Sequence, residues 1–524
     1  MIRDRIGIAK LSISVLLAAQ VVLAGCRRDT SDQAGQSGRI LHIASVEPTT
    51  LDPNKLTGGP ARKIASNLFT GLTTLSGSGE VRPGCAAKWT HSEDRRFWTF
   101  ELRPSLSWSD GVPVTAQSFV DSWKRATDPS TGNPNIEMFD VLVDAAEQRN
   151  AHSATILRVR AETATRLTIH TTRPTPDLPR RLAGIWAAPV PLHTIKEYGS
   201  QWTKPKYIVT NGPYILDTYI PSVSMTFRRN TSSFQPSSID RVMVRFTDNP
   251  VDAMRWFELG TIDWSDNLVP RDEIRTLRAK TQSPLKTTPY LGLTYIIPNI
   301  SRTSIDLPLR RALNLATDRM RIIKHVLDGS QRPLSRPIPR SLLGSAPGPA
   351  FNPQLARRIL GSSSTLRSRP LQLAFYNGGR NSEIAAFLQR EWSEHLGLEI
   401  TLQGMEWKSF LSSTATGEFD LAIFTLGGYD AADLLSVFSS ESPNNRGGYR
   451  SGVVDRHLRA AKLATSDAEH QKLLAKVESE LVEDVAVISL CQLTRHALVR
   501  NSFTGWRPNI EDHHPWDALR WAKN

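Results

Sequence analysis

The chain has 524 residues, of which 40% are hydrophobic and 22% charged, and it contains 33 prolines and 32 glycines. This ordinary globular composition excludes disordered and fibrous proteins, and the length suggests about three domains. Three cysteines, Cys26, Cys85 and Cys491, are too few for a disulfide scaffold or a cysteine-ligated zinc site. A formal net charge of +13 would normally suggest nucleic acid as a partner, but the amino terminus has the features of an export signal, so we expect none.

The amino terminus combines basic residues with a short apolar stretch. Arg3, Arg5 and Lys10 precede residues 11–24, which are mainly apolar. This stretch is too short for a stable transmembrane helix but has the length of a signal-peptide core. It ends in Leu-Ala-Gly-Cys26, which resembles a bacterial lipobox.

The lipobox resemblance implies that residues 1–25 are a signal peptide and that Cys26 carries lipid. An unmodified cysteine after an ordinary signal peptide is the alternative. Residues 26–38 are small and polar, which is typical of a flexible tether. We therefore expect an extracytoplasmic protein anchored to the cell membrane by its lipid, on the periplasmic side in a Gram-negative host.

Caps and apolar spacing predict three helices outside the central part of the chain. Thr115 caps the first, and Asp306 with Pro308 opens the second. Residues 332–353, rich in proline and without a clean period, predict a surface loop, and residues 361–370 predict another. The helical apolar positions, expected in the core, are Phe119, Trp123 and Ala126, then Leu309, Leu313, Ala316, Met320 and Ile323, and finally Leu473, Val477 and Leu481.

The clearest fold signal lies in residues 371–426, which predict a β-α-β-α-β unit with a parallel sheet. The predicted elements are a strand over 371–376, a helix capped by Ser382 and ended by Gly397, a strand over 398–402, a short helix over 407–411, and a strand over 421–426.

Ligands of such sheets bind beyond the carboxyl ends of the strands. That rule points to residues 377–380, to the segment around Trp407, and to residues 427–430. Ordinary glycine turns are the alternative explanation for each of these segments.

Catalytic and metal-binding motifs are missing from the sequence. It contains no GxSxG, HExxH or phosphate-binding loop. His513 and His514 are adjacent and project in different directions, so they do not predict a metal site. Cys85 and Cys491 could pair in an oxidising compartment, although nothing in the sequence brings them together. We expect no enzyme, no metal and no cofactor.

A series of motifs resembles the extracytoplasmic solute-binding proteins of peptide ABC transporters, the oligopeptide- and dipeptide-binding family. They occur in the family's order and cover most of the chain after the tether. They are TLDP (50–53), NLFTGL (67–72), WTFELR (98–103), WSDGVPVTA (108–116), TNGPY (210–214), LRRALNLATD (309–318), EWKSF (406–410) and SPNNRGGY (442–449).

The resemblance implies an α/β, periplasmic-binding-protein-like fold of two lobes joined by a hinge, with the ligand enclosed between them. It has a split domain I, an inserted domain II and a Rossmann-like domain III. The hinge would lie near residues 291 and 492. The implied ranges are 39–69, 189–291 and 493–524 for domain I, 70–188 for domain II, and 292–492 for domain III.

The resemblance also implies how a peptide would be held. Its main chain would form strand-like hydrogen bonds with two backbone segments, and its side chains would occupy hydrated pockets. Trp407 matches a tryptophan that lines such a pocket, although a buried core aromatic is the alternative. Tyr295 lies on a segment that approaches the ligand. The backbone segments are Thr57-Gly58-Gly59 and Thr425-Leu426-Gly427-Gly428.

The sequence departs from the family at the group that holds a peptide's α-ammonium, an aspartate after the third strand. A glycine or Tyr429 occupies that position here, and Asp430 is the nearest substitute. Because a buried ammonium without a counter-charge is costly, either Asp430 serves from a shifted loop or the ligand lacks a free amino terminus. Ile423 replaces a basic residue of the family, and Asn135 replaces an aromatic one.

The function that these features favour is a monomeric, lipid-anchored receptor that captures peptides and delivers them to an ABC permease. One alternative keeps the transport role but exchanges the peptide for a metal chelate, glycan, haem or modified peptide. Another is a sensor or envelope lipoprotein on the same fold.

Overall fold

The structure is a computed structural model that describes residues 40–142, 157–344, 346–361, 369–428 and 430–522. The predicted signal peptide, Cys26 and the tether lie outside the described residues, as do Tyr429 and most of the predicted loop at 361–370. Within the described ranges, no helix combines the length and the apolarity needed to cross a bilayer.

Nineteen strands occur in the described part of the chain. They are β1 (Ile40–Ser45), β2 (Thr73–Leu75), β3 (Val81–Pro83), β4 (Ala86–His91), β5 (Phe97–Leu102), β6 (Val159–Thr163), β7 (Arg166–His170), β8 (Tyr214–Ile220), β9 (Ser224–Arg229), β10 (Arg241–Phe246), β11 (Trp264–Ser265), β12 (Leu285–Pro298), β13 (Arg332–Pro333), β14 (Leu371–Tyr376), β15 (Ile400–Met405), β16 (Leu421–Gly427), β17 (Ile488–Val499), β18 (Phe503–Thr504) and β19 (Arg520–Trp521).

The α-helices of the described residues are α1 (Gly59–Ala65), α2 (Ala116–Thr127), α3 (Leu178–Arg181), α4 (Leu192–Tyr198), α5 (Pro250–Glu258), α6 (Arg271–Ala279), α7 (Leu307–Leu315), α8 (Arg319–His325), α9 (Arg340–Leu343), α10 (Pro353–Leu360), α11 (Asn381–Leu396), α12 (Trp407–Thr416), α13 (Ala431–Ser436), α14 (Gly452–Leu463) and α15 (Asp467–Glu483). Single 3-10 turns are Pro53–Lys55, Pro129–Thr131, Ile136–Phe139, Ile185–Ala187, Gly199–Gln201 and Trp516–Ala518.

A mixed sheet with the order β15-β14-β16-β12-β17-β11-β1-β10-β9-β8 runs through the molecule, and β13 pairs with β17 beside it. A separate four-stranded sheet has the order β4-β5-β7-β6. Strand β14 is parallel to both β15 and β16. The predicted β-α-β-α-β unit is therefore confirmed, since α11 and α12 connect these strands in chain order.

The ends of α11 show which local signals decide a helix boundary. The helix ends at Gly397, whose φ of 68° is left-handed and suits glycine. It begins at Asn381, with Arg380 as the N-cap residue. The prediction that Ser382 caps this helix is therefore wrong: Ser382 lies in its first turn, where its hydroxyl donates to Glu383.

The other predicted caps are confirmed. Thr115 and Ser118 form a capping box at α2. Asp306 accepts a hydrogen bond from the backbone N–H of Leu309 at the start of α7. The prediction that Met320 lies in the core is wrong, since its side chain is 64% exposed. The predicted single helix is interrupted after α7, and Met320 lies on a second helix, α8, so the helical spacing of α7 does not extend to it.

The prediction of a surface loop over residues 332–353 is partly wrong. Strand β13 pairs with β17, and a short helix, α9, follows. Leu334 and Ile338 are buried in the core. Prolines interrupt this segment, and its apolar residues have neither helical nor strand spacing. The burial of Leu334 and Ile338 therefore could not be predicted from a sequence pattern.

Each lobe of the α/β fold has its own hydrophobic core. The core of the first lobe includes Leu41, Phe100, Leu182 and Leu519, with a smaller cluster around α5 and α6. In the second lobe, alternate side chains of β12, β14 and β16 enter two clusters, one on each face of the sheet, and helices cover both clusters.

Two long antiparallel strands, β12 and β17, connect the lobes. Their register shifts between Pro289 and Leu293, next to the position where a hinge is predicted. The Gln492 amide donates to the Tyr290 carbonyl at 3.2 Å, and the Arg495 guanidinium lies 4.4 Å from the centroid of the Tyr290 ring. The hinge and the domain boundaries remain predictions.

A buried ion-pair network joins distant parts of the first lobe. The Lys63 ammonium on α1 is 2.6 Å from a carboxylate oxygen of Asp266 and 2.6 Å from one of Asp512. Burial alone would raise the pKa of Asp512, but Lys63 and His514 hold that pKa well below its usual range. The network connects three separate chain segments, each of which falls in the predicted domain I.

Cys85 and Cys491 are free and buried. They belong to different hydrophobic clusters, one in each lobe. The possibility that they form a disulfide is therefore not realised.

Candidate functional site

The carboxyl ends of β14, β15 and β16 surround a cavity of about 380 Å³. Two of its walls come from the segments that follow β14 and β15, a third comes from β16 itself, and a fourth comes from the loop after α8 together with β17. The location agrees with the rule for ligands of parallel sheets. Lining residues on the β14, β15 and β16 side are Tyr376, Gly378, Gly379, Arg380, Asn381, Ile384, Trp407, Phe410, Ile423, Phe424 and Thr425.

Aromatic side chains form one wall of the cavity. Trp407 begins α12 and is 46% exposed, so it is not a core residue. Its ring meets Tyr376 edge-on, with centroids 5.3 Å apart, and lies 6.1 Å from Phe410. Phe410 in turn packs against Phe424 at 4.7 Å. Buried rings thus support an exposed indole that can cover an apolar ligand group.

One backbone edge of β16 is open beside this wall. Strand β16 pairs with β12 as far as Gly427, but its pairing with β14 ends at Ile423. Among the described residues, no strand continues the β14 side past that point. The backbone from Thr425 to Gly427 is therefore available to an extended peptide by strand addition.

The residues at the end of β16 differ in what they can offer. Thr425 is exposed and its hydroxyl is 3.0 Å from that of Thr294. Leu426 is half-buried and packs against the second-lobe core, whereas Gly427 is exposed. The Gly428 N–H donates to the Leu291 carbonyl at 3.1 Å, so this donor is already used.

Asp430 lies outside the cavity lining and caps α13. Its Oδ1 accepts a hydrogen bond of 2.8 Å from the backbone N–H of Asp433. Arg181 of the first lobe pairs with Asp140 and Asp177 instead. Burial alone would lower the pKa of Arg181, but these two carboxylates, with a weaker contribution from Asp430, raise that pKa above its usual value. The nearest substitute for the family's aspartate is thus engaged in the helix cap.

The predicted segment on the first lobe stands apart from this cavity. Thr57 and Gly58 are exposed, and Gly58 has a φ of 75° immediately before α1. The Thr57 hydroxyl lies 3.2 Å from that of Thr49. Thr57, Gly58 and Gly59 do not line the cavity, so the structure does not bring the two predicted backbone segments together at this site.

The structure does not place the side chain of Tyr295 where it could bind a ligand, contrary to expectation. Its side chain is 1% exposed and its hydroxyl donates to the Pro337 carbonyl at 2.6 Å. Burial raises the pKa of this phenol well above its usual value. The side chain is therefore part of the core, because side chains alternate along β12, and the preceding residue, Thr294, lines the cavity instead.

The two other departures from the family have clear local roles. Ile423 lines the cavity with an apolar side chain that is 1% exposed. The Asn135 amide donates to the Leu56 carbonyl at 2.9 Å and thereby secures the loop before α1. Neither position supplies a charge to a ligand.

Sequence reasoning missed Arg271, which lines the cavity from α6 of the first lobe. It also missed the loop that carries Asp328 and Gln331. Arg271 follows a proline on a polar helix, a pattern typical of any solvated surface. Only the tertiary arrangement shows that it faces the second lobe.

A second cavity of about 390 Å³ lies at the opposite edge of the parallel strands, between the end of α12 and the loop around Arg446. Its lining is mainly polar. Over the described parts of the chain, no group of three or more histidine, cysteine, aspartate or glutamate side chains is arranged to hold a metal ion.

His496 is a buried neutral group next to the first cavity. It lies on β17, with its Nε2 3.1 Å from the carbonyl oxygen of Ser330. Burial and the nearby Arg278 lower the pKa of His496 to about 4. The unfolded chain would protonate this imidazole near pH 6.5.

The folded protein is therefore expected to lose stability as the pH falls from about 6.5 to 4, because the unfolded state then binds more protons than the folded state. His496 would account for at most about 3 kcal/mol of this loss. Urea unfolding of His496→Gln should show a weaker dependence on pH in this window than the wild type. Replacement of the exposed His91 by glutamine is the control, and an unchanged slope in His496→Gln would contradict the assignment.

The family model of bacterial extracellular solute-binding proteins, family 5 Middle, matches residues 80–446. The chain is 28% identical over 491 residues to the periplasmic oligopeptide-binding protein OppA of Salmonella typhimurium, which covers 88% of this chain and 89% of that protein. It is 29% identical over 462 residues to the probable deoxycholate-binding periplasmic protein YgiS of Escherichia coli, with 85% and 86% covered.

The structure is similar to the unliganded open form of the periplasmic murein tripeptide binding protein MppA, with a TM-score of 0.84 at 26% identity over 93% of this chain and 98% of that one. Another structure of MppA, from Escherichia coli, gives a TM-score of 0.73 at the same 26% identity. The family match, the two lobes and the cavity at the strand ends agree, and the chain belongs to the bacterial extracellular solute-binding proteins of family 5.

Proposed function

We propose that this protein is a lipid-anchored receptor that captures peptides between its two lobes and delivers them to an ABC import permease. The observation that carries the proposal is the open backbone edge of β16 beside the aromatic wall of the cavity. An extended peptide can bond to the edge with its main chain and place a side chain against Trp407. Relatives named as oligopeptide- and murein peptide-binding proteins support this assignment.

Binding through the main chain makes affinity depend weakly on peptide sequence. The edge from Thr425 to Gly427 offers the same donors and acceptors to any extended peptide. The cavity of about 380 Å³ is large enough for side-chain groups together with water, which adapts to their shapes.

The first lobe would complete the site when the lobes close. In this structure, Thr57, Gly58 and Gly59 are not at the cavity, and closure would bring this segment to the other side of the peptide. A ligand that contacts both lobes favours the closed state by its differential affinity, and the permease can recognise that state.

The lipid on Cys26 would keep the receptor at the membrane that contains the permease. Residues 26–38 would give the body freedom to reach it. We propose a monomer, since one chain contains both lobes and the cavity between its strand ends. Its place is outside the cytoplasm.

Native mass spectrometry of the protein purified without added ligand tests the proposal. A ladder of mixed masses that are identified as peptides after denaturation is the expected result. A single defined compound that is not a peptide would contradict the peptide assignment while leaving a transport role. A protein that stays empty and gains no mass with a mixed peptide pool would contradict ligand capture and favour the sensor alternative.

A non-peptide solute is the second candidate, favoured by one observation. Asp430 accepts the capping hydrogen bond of α13 and does not line the cavity, so it is not placed to hold a peptide's ammonium there. A relative at 29% identity is named for binding deoxycholate, which has no amino group.

A further inference from the structure

In the described part of the chain, some of the charged side chains around the cavity are paired with each other, and one is not. Asp328 is the acidic residue of its lining, and this carboxylate is 2.8 Å from the Arg380 guanidinium. Arg380 also lies 3.6 Å from Glu383. Asp328 is therefore already paired and is not free to receive a ligand cation.

Arg271 provides an additional positive charge from the facing lobe. It is the first residue of α6, it is exposed, and it lines the cavity. Within the described residues, no hydrogen bond or ion pair within 4.0 Å engages its guanidinium. Its charge reaches the second lobe, since Arg271 is among the groups that lower the pKa of Glu383, after the hydrogen bond from Ser382.

The lining also contains polar groups such as Gln331 and Thr425, but much of it is apolar or aromatic, notably Trp407, Phe410, Ile423 and Phe424. An ion pair is strong where water is partly excluded and the guanidinium can bind a carboxylate through two parallel hydrogen bonds. The combination of a free guanidinium and aromatic walls suits a group with an apolar body and one negative charge. It does not suit an ammonium.

We propose that this cavity takes a carboxylate-bearing, apolar part of the ligand and that Arg271, contributed by the opposite lobe, is the residue that selects it. The proposal rests on the proposed function, because it names the class of peptide bound. Such a peptide needs no free α-ammonium. Closure then adds the contact between Arg271 and the carboxylate, which couples recognition of the charge to the movement of the lobe that carries it.

The test uses titration calorimetry with the peptide N-acetyl-Ala-Phe-Ala as the free acid and as the carboxamide. The wild-type protein should bind the acid about tenfold more tightly than the amide, a ratio in the range of one charge-assisted contact. Arg271→Gln should weaken the acid about tenfold and leave the amide unchanged, so the ratio falls to about one. Arg275→Gln, an exposed arginine on the same helix outside the cavity lining, should keep the wild-type ratio.

Equal binding of acid and amide by the wild type, or a ratio that survives Arg271→Gln, would overturn this inference and leave the peptide-receptor function standing. The same holds if Ala-Phe-Ala with a free amino terminus binds at least tenfold more tightly than its acetylated form. If none of these peptides binds, the proposed function itself fails, and the inference that rests on it fails too. Partial recovery of the acid preference in Arg271→Lys would support the role of the charge.

Discussion

Replacing Lys63 by methionine is expected to lower the free energy of unfolding by about 3 kcal/mol, the lower end of the cost of breaking a buried ion pair. The ammonium lies 2.6 Å from both Asp266 and Asp512, whose side chains are 8% and 9% exposed. Methionine keeps the volume of the side chain but leaves two nearly buried carboxylates facing each other. The remaining contacts of Asp512 with Arg495 and His514 limit the loss.

Urea unfolding at neutral pH measures this effect. Lys55→Met is the control, because Lys55 is an exposed lysine in the turn before the same helix. The double variant Lys63→Met with Asp266→Asn should recover part of the stability, since it removes one of the unpaired charges. A loss below about 1 kcal/mol in the single variant would mean that water or the remaining partners already compensate these carboxylates.

Trp407→Ala is expected to weaken peptide binding by about 10- to 100-fold, which is the range found when a central tryptophan of a binding site is removed. The indole is 46% exposed and rests on Tyr376 and Phe410, so it is available to cover a ligand group. Stability should change by less than about 1 kcal/mol, because a half-exposed side chain contributes little to the core.

Calorimetry and urea unfolding of the same variant separate binding from folding. Trp256→Ala removes a partly exposed tryptophan of the first lobe that lies over Arg245 and serves as the matched control. Trp407→Phe should retain much of the affinity because it keeps a ring over the cavity. If Trp407→Ala binds like the wild type, this aromatic wall does not contact the ligand.

The second lobe was the part of the fold most open to prediction. Strands β14 and β16 are short, almost continuous apolar runs that end near glycines, and the helix between β14 and β15 ends at Gly397 in the left-handed conformation. Such signals are local, so they can be recognised from consecutive residues of the sequence. The N-cap at Arg380 was missed because its side chain makes no capping hydrogen bond and therefore leaves no residue preference to detect.

The candidate site was predictable only where it lies on these local elements. The positions of Trp407 and Thr425 at the site can be predicted from the strand ends and the family resemblance, and both residues line the cavity. Tyr295 was misplaced because a one-residue step along β12 exchanges the cavity for the core. Arg271 lies more than a hundred residues away on another lobe, and its position depends on the pairing of β12 with β17, a contact that no local pattern specifies.

The pairing of Leu293 with Gln492 has a consequence for how such receptors can change their ligands. In the predicted domain division, the chain leaves the first lobe and returns to it next to these two paired residues, so one uninterrupted gene segment would encode nearly the whole cavity. Recombination at these two points could transplant the aromatic pocket into another member of the family in a single exchange. The hybrid would not inherit Arg271, and its preference for charge would be that of the recipient.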